Sequence, residues 1–365
     1  MLPLFEHWPA LESGLPILNL ATLPTPIAPM TELGADLDVE GLYIKRDDFT
    51  GEAYGGNKVR KLDFLLGKAK AEGIKTVLTF GAAGSNHALA TAIYTQAHDL
   101  HCISILVPQH NAHSVRRNLL RGHVAGAELH HCVSKGKATL CTANAFRREF
   151  MKQGCFPMVI PPGGSAPLGV VGYVNAALEL KAQVEAGEMP EPDVVYVASG
   201  TMGTCIGLLL GFALAGMKTR VVGVAVTTAP YTEMKKGHKL YQQCLDLMRV
   251  CDPTIPDIPF PQDRFSLPYD FLGEDYALYT EAGCAAVKAI KEKEGVPLEG
   301  TYTGKALSGL LAHAQSGALA GQQVLFWDTY NSKDVSPEIE GIDYHDLPRG
   351  FHQYFEEEVQ ELDRQ

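Results

Sequence analysis

Short apolar runs recur along this chain, separated by longer stretches of helical periodicity. Residues 76–80, 103–107, 158–161, 193–198, 220–226 and 323–327 each read as a strand buried on both faces. Between such runs, apolar residues recur three and four apart. Leu62, Leu65, Leu66 and Ala69 share one helical face in this way. Buried strands alternating with amphipathic helices predict an α/β fold with parallel sheets. No repeat of fixed period is visible. Residues 251–268 hold five prolines and read as a loop. The apolar run 205–217 is too short to cross a bilayer and reads as a buried helix.

Two of the strands run into glycine loops that open helices. Residues 76–80 lead into Gly81-Ala82-Ala83-Gly84-Ser85-Asn86-His87, with a helix predicted from Ser85 or Asn86. Residues 193–198 lead into Ser199-Gly200-Thr201-Met202-Gly203-Thr204, with a helix over 205–215. Strand, glycine loop and helix N-terminus together hold a phosphate on backbone N–H groups. This loop adds hydroxyls but has no lysine of its own, unlike a nucleoside triphosphate site.

A third segment, Tyr54-Gly55-Gly56-Asn57-Lys58, precedes the helical stripe that begins at Leu62. Asn57 is the expected N-cap and Gly73 the expected stop. Lys58 then lies in the first turn, where the positive end of the helix dipole lowers the pKa of an amine. A neutral amine is a nucleophile able to form a Schiff base. A solvated lysine at a helix start fits the segment equally.

With 365 residues there is room for two domains or one large one. A net charge of −11 argues against nucleic acid as a partner, because phosphate backbones need clustered Lys and Arg. The eight cysteines form no Cys-x-x-Cys pair, which fits reduced thiols in the cytoplasm. The N-terminus lacks the basic start and apolar run of a signal peptide. No metal site is expected, since neither His130-His131-Cys132 nor His110 with His113 has the spacing of a closed zinc site. A P-loop reading of residues 51–58 fails, because the lysine comes one residue late and no Ser or Thr follows it.

The order of these segments resembles the pyridoxal-phosphate enzymes of the tryptophan-synthase-β-like fold (fold type II). Within that fold, the chain is most similar to the D-cysteine desulfhydrase and 1-aminocyclopropane-1-carboxylate (ACC) deaminase group. The resemblance runs from about Leu23 to Trp327. It is carried by Lys45-Arg46-Asp47-Asp48, Gly55-Gly56-Asn57-Lys58 and Ser85-Asn86-His87. Pro162-Gly163-Gly164-Ser165 with Gly172-Tyr173, Ser199-Gly200-Thr201 and Tyr302-Thr303-Gly304-Lys305 complete it. The resemblance implies two domains with twisted parallel sheets flanked by helices. The larger cofactor domain would be residues 1–54 plus 171–333, the smaller mobile domain 55–170, and 334–365 an acidic C-terminal extension. The cofactor would be pyridoxal 5′-phosphate, and the protein a cytoplasmic homodimer acting on a small amino acid, with no membrane or nucleic-acid partner.

By the same resemblance, Lys58 is the Schiff-base lysine and Asn57 borders the cofactor. Asn86 would bond the cofactor's ring hydroxyl. Gly200, Thr201, Met202, Gly203 and Thr204 would hold its phosphate, and Thr303 would face its pyridine nitrogen. Ser85, Asn86 and His87 would bind substrate, Ser85 with a hand in proton transfer. Tyr276 and Tyr302 would flank the substrate. A hydroxyl at Thr303 and the histidine at 87 match the desulfhydrases, since ACC deaminases place a glutamate and a glutamine there.

The chain departs from the family pattern at Gly84 (usually Gln), at Leu89-Ala90 (usually Arg-Gln) and at Asp328-Thr329-Tyr330-Asn331 (usually His-Thr-Gly-Gly). Met202 stands where a glycine is common. The cofactor side is kept and the substrate side altered. The expected reaction is α,β-elimination, D-cysteine giving pyruvate, sulfide and ammonia. ACC deamination to 2-oxobutyrate and ammonia is the alternative, and a non-catalytic cofactor-binding module is the alternative of another class.

Overall fold

The computed structural model describes residues 1–364. Gln365, the last residue of the expected 334–365 extension, lies outside them. The strands are β1 (Ile27–Pro29), β2 (Gly41–Arg46), β3 (Thr76–Ala82), β4 (His101–Val107) and β5 (Glu128–His131). They continue as β6 (Met158–Ile160), β7 (Val194–Ser199), β8 (Arg220–Ala225), β9 (Phe265–Ser266) and β10 (Gln323–Asp328). One sheet has the order β1-β2-β10-β7-β8-β9 and the other β5-β4-β3-β6. The β1–β2 pair is antiparallel, and the other pairs are parallel. This is the predicted architecture, parallel sheets with helices between the strands.

Each apolar run of the sequence became a strand within a residue or two. The strand β2 was not among them, although it lies inside the larger sheet with Lys45 opposite Trp327 of β10. Lys45 is fully buried all the same. Its ammonium lies 2.7 Å from Glu179, and Arg60 bridges Glu179 at 2.9 Å and Asp47 at 2.7 Å. Tyr173 Oη and Trp327 Nε1 also donate to Asp47, at 2.7 and 2.8 Å. Burial alone would raise the Glu179 carboxyl, but Arg60 and Lys45 hold it down to about 2. A buried ion cluster is tolerable only when every charge is bonded, as here. It ties β2 and β10 to the helices Lys58–Ala71 and Pro167–Glu185, and so fixes the helix start that carries Lys58.

The helix Gly203–Leu214 is apolar all round and buried between the larger sheet and the helix Pro167–Glu185. A Cβ at Gly207 would stand 2.4 Å from Tyr173 Cβ, and one at Gly211 2.5 Å from Ala177 Cβ. Glycine at both positions lets the two helices approach, which sets where the Gly203 end points. The C-terminal extension folds back on the chain itself. Val335, Leu347, Phe351, Tyr354 and Val359 are buried, with the Phe351 and His131 rings 5.0 Å apart. Among the described residues, no helix is long and apolar enough to cross a membrane.

Candidate active site

The helix that follows the Gly-Gly-Asn segment spans Lys58–Ala71, and Gly73 turns the chain with φ +69°. Asn57 occupies the N-cap position, but its side chain makes no capping bond. It accepts from Lys58 Nζ at 2.7 Å and donates to Thr204 Oγ1 at 3.0 Å. Lys58 therefore stands at an uncapped helix start, tied through Asn57 to the glycine loop after β7. Burial pushes its amine down to about 8, with Glu299 opposing the shift. Such an amine reaches its neutral form far more readily than an ordinary lysine.

Lys58 opens into a cavity of about 1110 Å³ bounded by the ends of both sheets. Asn57, Ser85, Asn86, His87, Gly200, Thr201, Met202, Gly203, Thr204, Tyr276, Tyr302 and Thr303 line the same space. All the residues singled out in the sequence thus meet in one place, from segments up to about 245 positions apart.

The loop after β7 forms one wall. Met202 takes a left-handed φ of 71°, and the helix Gly203–Leu214 begins without a side-chain cap. Its first N–H groups are then free to hold an anion. Thr201 Oγ1 lies 2.6 Å from Ser165 Oγ. Lys61, one helical turn after Lys58, donates to Gly163 O at 3.2 Å and to Ser165 Oγ at 3.3 Å. A Cβ at Gly203 would come within 2.4 Å of Ser165 Oγ and 2.9 Å of Lys61 Nζ. The cation that the loop lacks in sequence is thus supplied by Lys61 from another segment. Burial, then the neighbouring Lys58, push this amine well below its ordinary value. An anion in the loop would reverse that balance.

A second wall comes from the loop after β3. Ser85 caps the helix Asn86–Ala97, accepting from Ala88 N at 3.2 Å. Asn86 Oδ1 accepts from Asn118 Nδ2 at 2.9 Å and from Tyr54 Oη at 3.3 Å. His87 is buried and held well below its ordinary pKa by burial, then by Lys58 and Lys61, so it is neutral. The Thr79 hydroxyl donates to Ile160 O, which assigns the His87 proton to Nε2, 3.0 Å from Thr79 Oγ1. Among the described residues its buried Nδ1 has no partner.

The third wall carries Tyr276 and Tyr302, whose hydroxyls are hydrogen-bonded to each other. Burial pushes the Tyr276 phenol up to about 12, so it stays protonated near neutral pH. Thr303 lies beside them, but its hydroxyl is engaged with Glu299, accepting from Glu299 N at 3.1 Å. Glu299 is the residue the sequence reading missed on this wall. Its carboxylate accepts from Thr301 N at 2.8 Å, Tyr302 N at 2.7 Å and Thr303 N at 2.9 Å, capping the helix Thr303–Gln315. Burial raises its pKa despite those bonds. The signal was present as Glu299-x-x-x-Thr303 ahead of an apolar helix, an acidic residue before a helix start.

The departures from the family pattern have local causes. A Cβ at position 84 would stand 2.8 Å from Val115 Cγ2 and 3.0 Å from Gln109 Nε2. Gln109 fills that space and accepts from Gly84 N at 2.8 Å. Asn331 Oδ1 accepts from Gly55 N at 2.6 Å, and Asn57 N donates to Thr329 O at 3.1 Å. The altered segment after β10 therefore braces the strip that presents Lys58. Among the described residues, no three His, Cys, Asp or Glu side chains group as metal ligands. His110 pairs with Asp275 at 3.0 Å and His130 with Glu128 at 2.6 Å.

Residues 18–329 match the family described as "Pyridoxal-phosphate dependent enzyme". A Pyrococcus horikoshii protein, provisionally named a 1-aminocyclopropane-1-carboxylate deaminase, is 33% identical over 88% of this chain and 93% of its own. A Serratia proteamaculans D-cysteine desulfhydrase is 34% identical over 81% of this chain and 87% of its own. The crystal structure of an ACC deaminase homologue superposes with a TM-score of 0.75 at 31% identity, covering 90% of this chain and 97% of that one. A Solanum lycopersicum threonine deaminase isoform shares the fold at a TM-score of 0.59 and 18% identity, over 93% and 94% of the two chains.

Proposed function

Because the chain belongs to the pyridoxal-phosphate dependent enzyme family, we propose that it is a lyase catalysing α,β-elimination on a small amino acid, D-cysteine first. Its fold is fold type II, its cofactor is pyridoxal 5′-phosphate, and its group is that of the ACC deaminases and D-cysteine desulfhydrases. The residues present suit that cofactor. One cavity pairs a lysine amine held at about 8 with an uncapped helix start, two hydroxyls and the buried amine of Lys61. This pairing is the observation that carries the reading.

When bound, the cofactor supplies a carbonyl for the lysine and an electron sink for the substrate's α-carbon. The protein supplies position and proton transfer. Residues 200–204 and Lys61 would hold the phosphate, Asn57 and Asn86 would border the ring, and Thr303 stands on the wall beside Glu299. Ser85, Asn86 and the neutral His87 receive the substrate carboxylate. Lys58 Nζ takes the α-proton as general base. The Cβ–S bond breaks with its electron pair on sulfur, which leaves as sulfide. With one water consumed, D-cysteine yields pyruvate, ammonia and sulfide.

Deamination of ACC is the second reading. Glu299 favours it, since a buried carboxyl on the Thr303 wall is where a charge-stabilising group would act. Tyr276 or Tyr302 would then be the hydroxyl that assists ring opening. Elimination is preferred because the hydroxyl of Thr303 and His87 match the desulfhydrases. The same reading takes residues 1–54 plus 171–333 as the cofactor domain, 55–170 as the mobile domain, and the protein as a cytoplasmic homodimer with free thiols. A screen of D- and L-amino acids and ACC, following keto-acid and sulfide release, tests it. Sulfide and pyruvate from D-cysteine are the expected products.

A further inference from the structure

The C-terminal extension lies beyond the segment that matches the family, which ends at residue 329. It nevertheless reaches two walls of the cavity. Tyr354 Oη accepts from Gln109 N at 3.2 Å, and Gln109 in turn holds Gly84 N beside Ser85. Asn111 and Arg116 donate to the extension's carbonyls: Asn111 to Tyr354, Glu357 and Glu358 at 3.0–3.2 Å, and Arg116 to Tyr354 and Glu357 at 2.6 and 2.7 Å. Six residues past Tyr354, Gln360 crosses to the other side. Its backbone N donates to Asn111 O at 3.0 Å. Its side chain accepts from Tyr279 N at 2.6 Å and donates to Ala277 O at 3.1 Å.

Those two bonds fall on the segment that carries Tyr276. Ala277 sits in the left-handed region with φ 61°, a conformation that costs free energy for a residue with a Cβ. Surrounding bonds must hold it there. Lys305 Nζ donates to Leu272 O at 2.6 Å on one side of Tyr276, and Gln360 holds the other side. Tyr279 also lays its ring against Gly300, where a Cβ would come within 2.9 Å of it. Gly300 lies between Glu299 and Tyr302, so a shift at Tyr279 reaches the same wall.

We propose that Gln360 is a positioning residue for the reaction, holding Ala277 and Tyr279 so that the Tyr276 hydroxyl stays against Tyr302 at the substrate end of the cavity. The inference rests on the reading that this tyrosine pair meets the substrate. Gln360 touches neither substrate nor cofactor, and acts through the backbone of 277–279.

The test replaces Gln360 with Met, which keeps the volume and removes both bonds. In Gln360→Met, kcat for β-elimination should fall on the order of tenfold, as expected when a hydroxyl that meets the substrate is displaced. Cofactor absorbance and melting temperature should stay as in the parent. In a cycle with Tyr276→Phe, the double variant should be no slower than the slower single variant. Losses that multiply, or an unchanged kcat, overturn the proposal. Amide hydrogen exchange supplies a readout free of turnover. In the unaltered protein the Tyr279 N–H should exchange as slowly as the helix Thr303–Gln315, and Gln360→Met should speed exchange over 277–279 alone. Fast exchange at Tyr279 before substitution overturns it too. If no amino acid is turned over, the functional reading fails while the exchange result still decides whether Gln360 holds this segment.

Discussion

Lys58 Nζ donates to Asn57 Oδ1 at 2.7 Å, and the same amide donates from Nδ2 to Thr204 Oγ1 at 3.0 Å. One side chain thus sets the span between the Lys58 amine and the uncapped start of the helix Gly203–Leu214. The carbonyl and phosphate of pyridoxal phosphate are the two groups that need such a span.

Lys58→Ala should abolish turnover and the covalent cofactor link and leave the fold intact, since among the described residues its amine bonds only to Asn57. Borohydride reduction followed by peptide mass analysis checks this. Reduced cofactor on any lysine other than Lys58 in the parent protein would sink the assignment.

The depressed Lys58 amine makes cofactor capture depend on pH. Below about 8 the amine is protonated and has no lone pair to offer. Raising the pH toward that value should speed capture by apo-protein by about tenfold per unit, because the neutral fraction grows tenfold. Above it the rate should level off. A rate that still climbs between pH 9 and 10 would mean an ordinary lysine.

Lys61 and Gly200 probe the phosphate end. Removing an ammonium bonded to an anion costs about 1.5–3 kcal/mol, so Lys61→Met should weaken cofactor affinity roughly 10- to 150-fold. Gly200→Asp has room for its Cβ, whose nearest neighbour is Val226 Cγ2 at 3.7 Å. Its charge would face the anion, and affinity should drop further still. Equilibrium titration of the apo-variants measures both, and parent-like affinity in both would place the phosphate elsewhere.

Much of this site was legible in the sequence because it is local. A strand that ends in glycines and hydroxyls before an apolar helix defines its loop within eleven residues, as at 194–204. Lys61 was not legible as a site residue, because its role depends on distant segments, and Glu299 was legible only as an acidic residue before a helix start. Lys61 matters only once Ser165 and Thr201 fold against it, 104 and 140 positions away. Likewise β2 escaped notice because Lys45 and Arg46 break its apolar run, and the compensating charge of Glu179 lies 134 positions on. The packing of the C-terminal extension was not legible because its composition is acidic overall, while a few spaced residues such as Phe351 and Tyr354 do the packing.

Glu299 bears on both helix stability and substrate choice. Glu299→Ala removes the carboxyl that accepts three N–H bonds at the start of Thr303–Gln315, which should cost about 0.5–2 kcal/mol, the range for a lost cap. Glu299→Gln keeps an acceptor oxygen and removes the carboxyl's capacity for charge. If the carboxyl serves only as a cap, Glu299→Gln should retain elimination activity within about threefold, a loss of well under 1 kcal/mol in barrier. A much larger loss would make Glu299 a participant in the chemistry, as the deaminase reading requires.

The most direct test is a side-by-side assay of purified, cofactor-loaded protein on D-cysteine, β-chloro-D-alanine and ACC, with pyruvate and 2-oxobutyrate measured separately. In the proposed reading Thr303 places an uncharged side chain at the pyridine nitrogen and ACC offers no β-leaving group, so pyruvate from one of the first two should dominate. Faster release of 2-oxobutyrate from ACC than of pyruvate from either would contradict the account, and the deaminase reading would replace it.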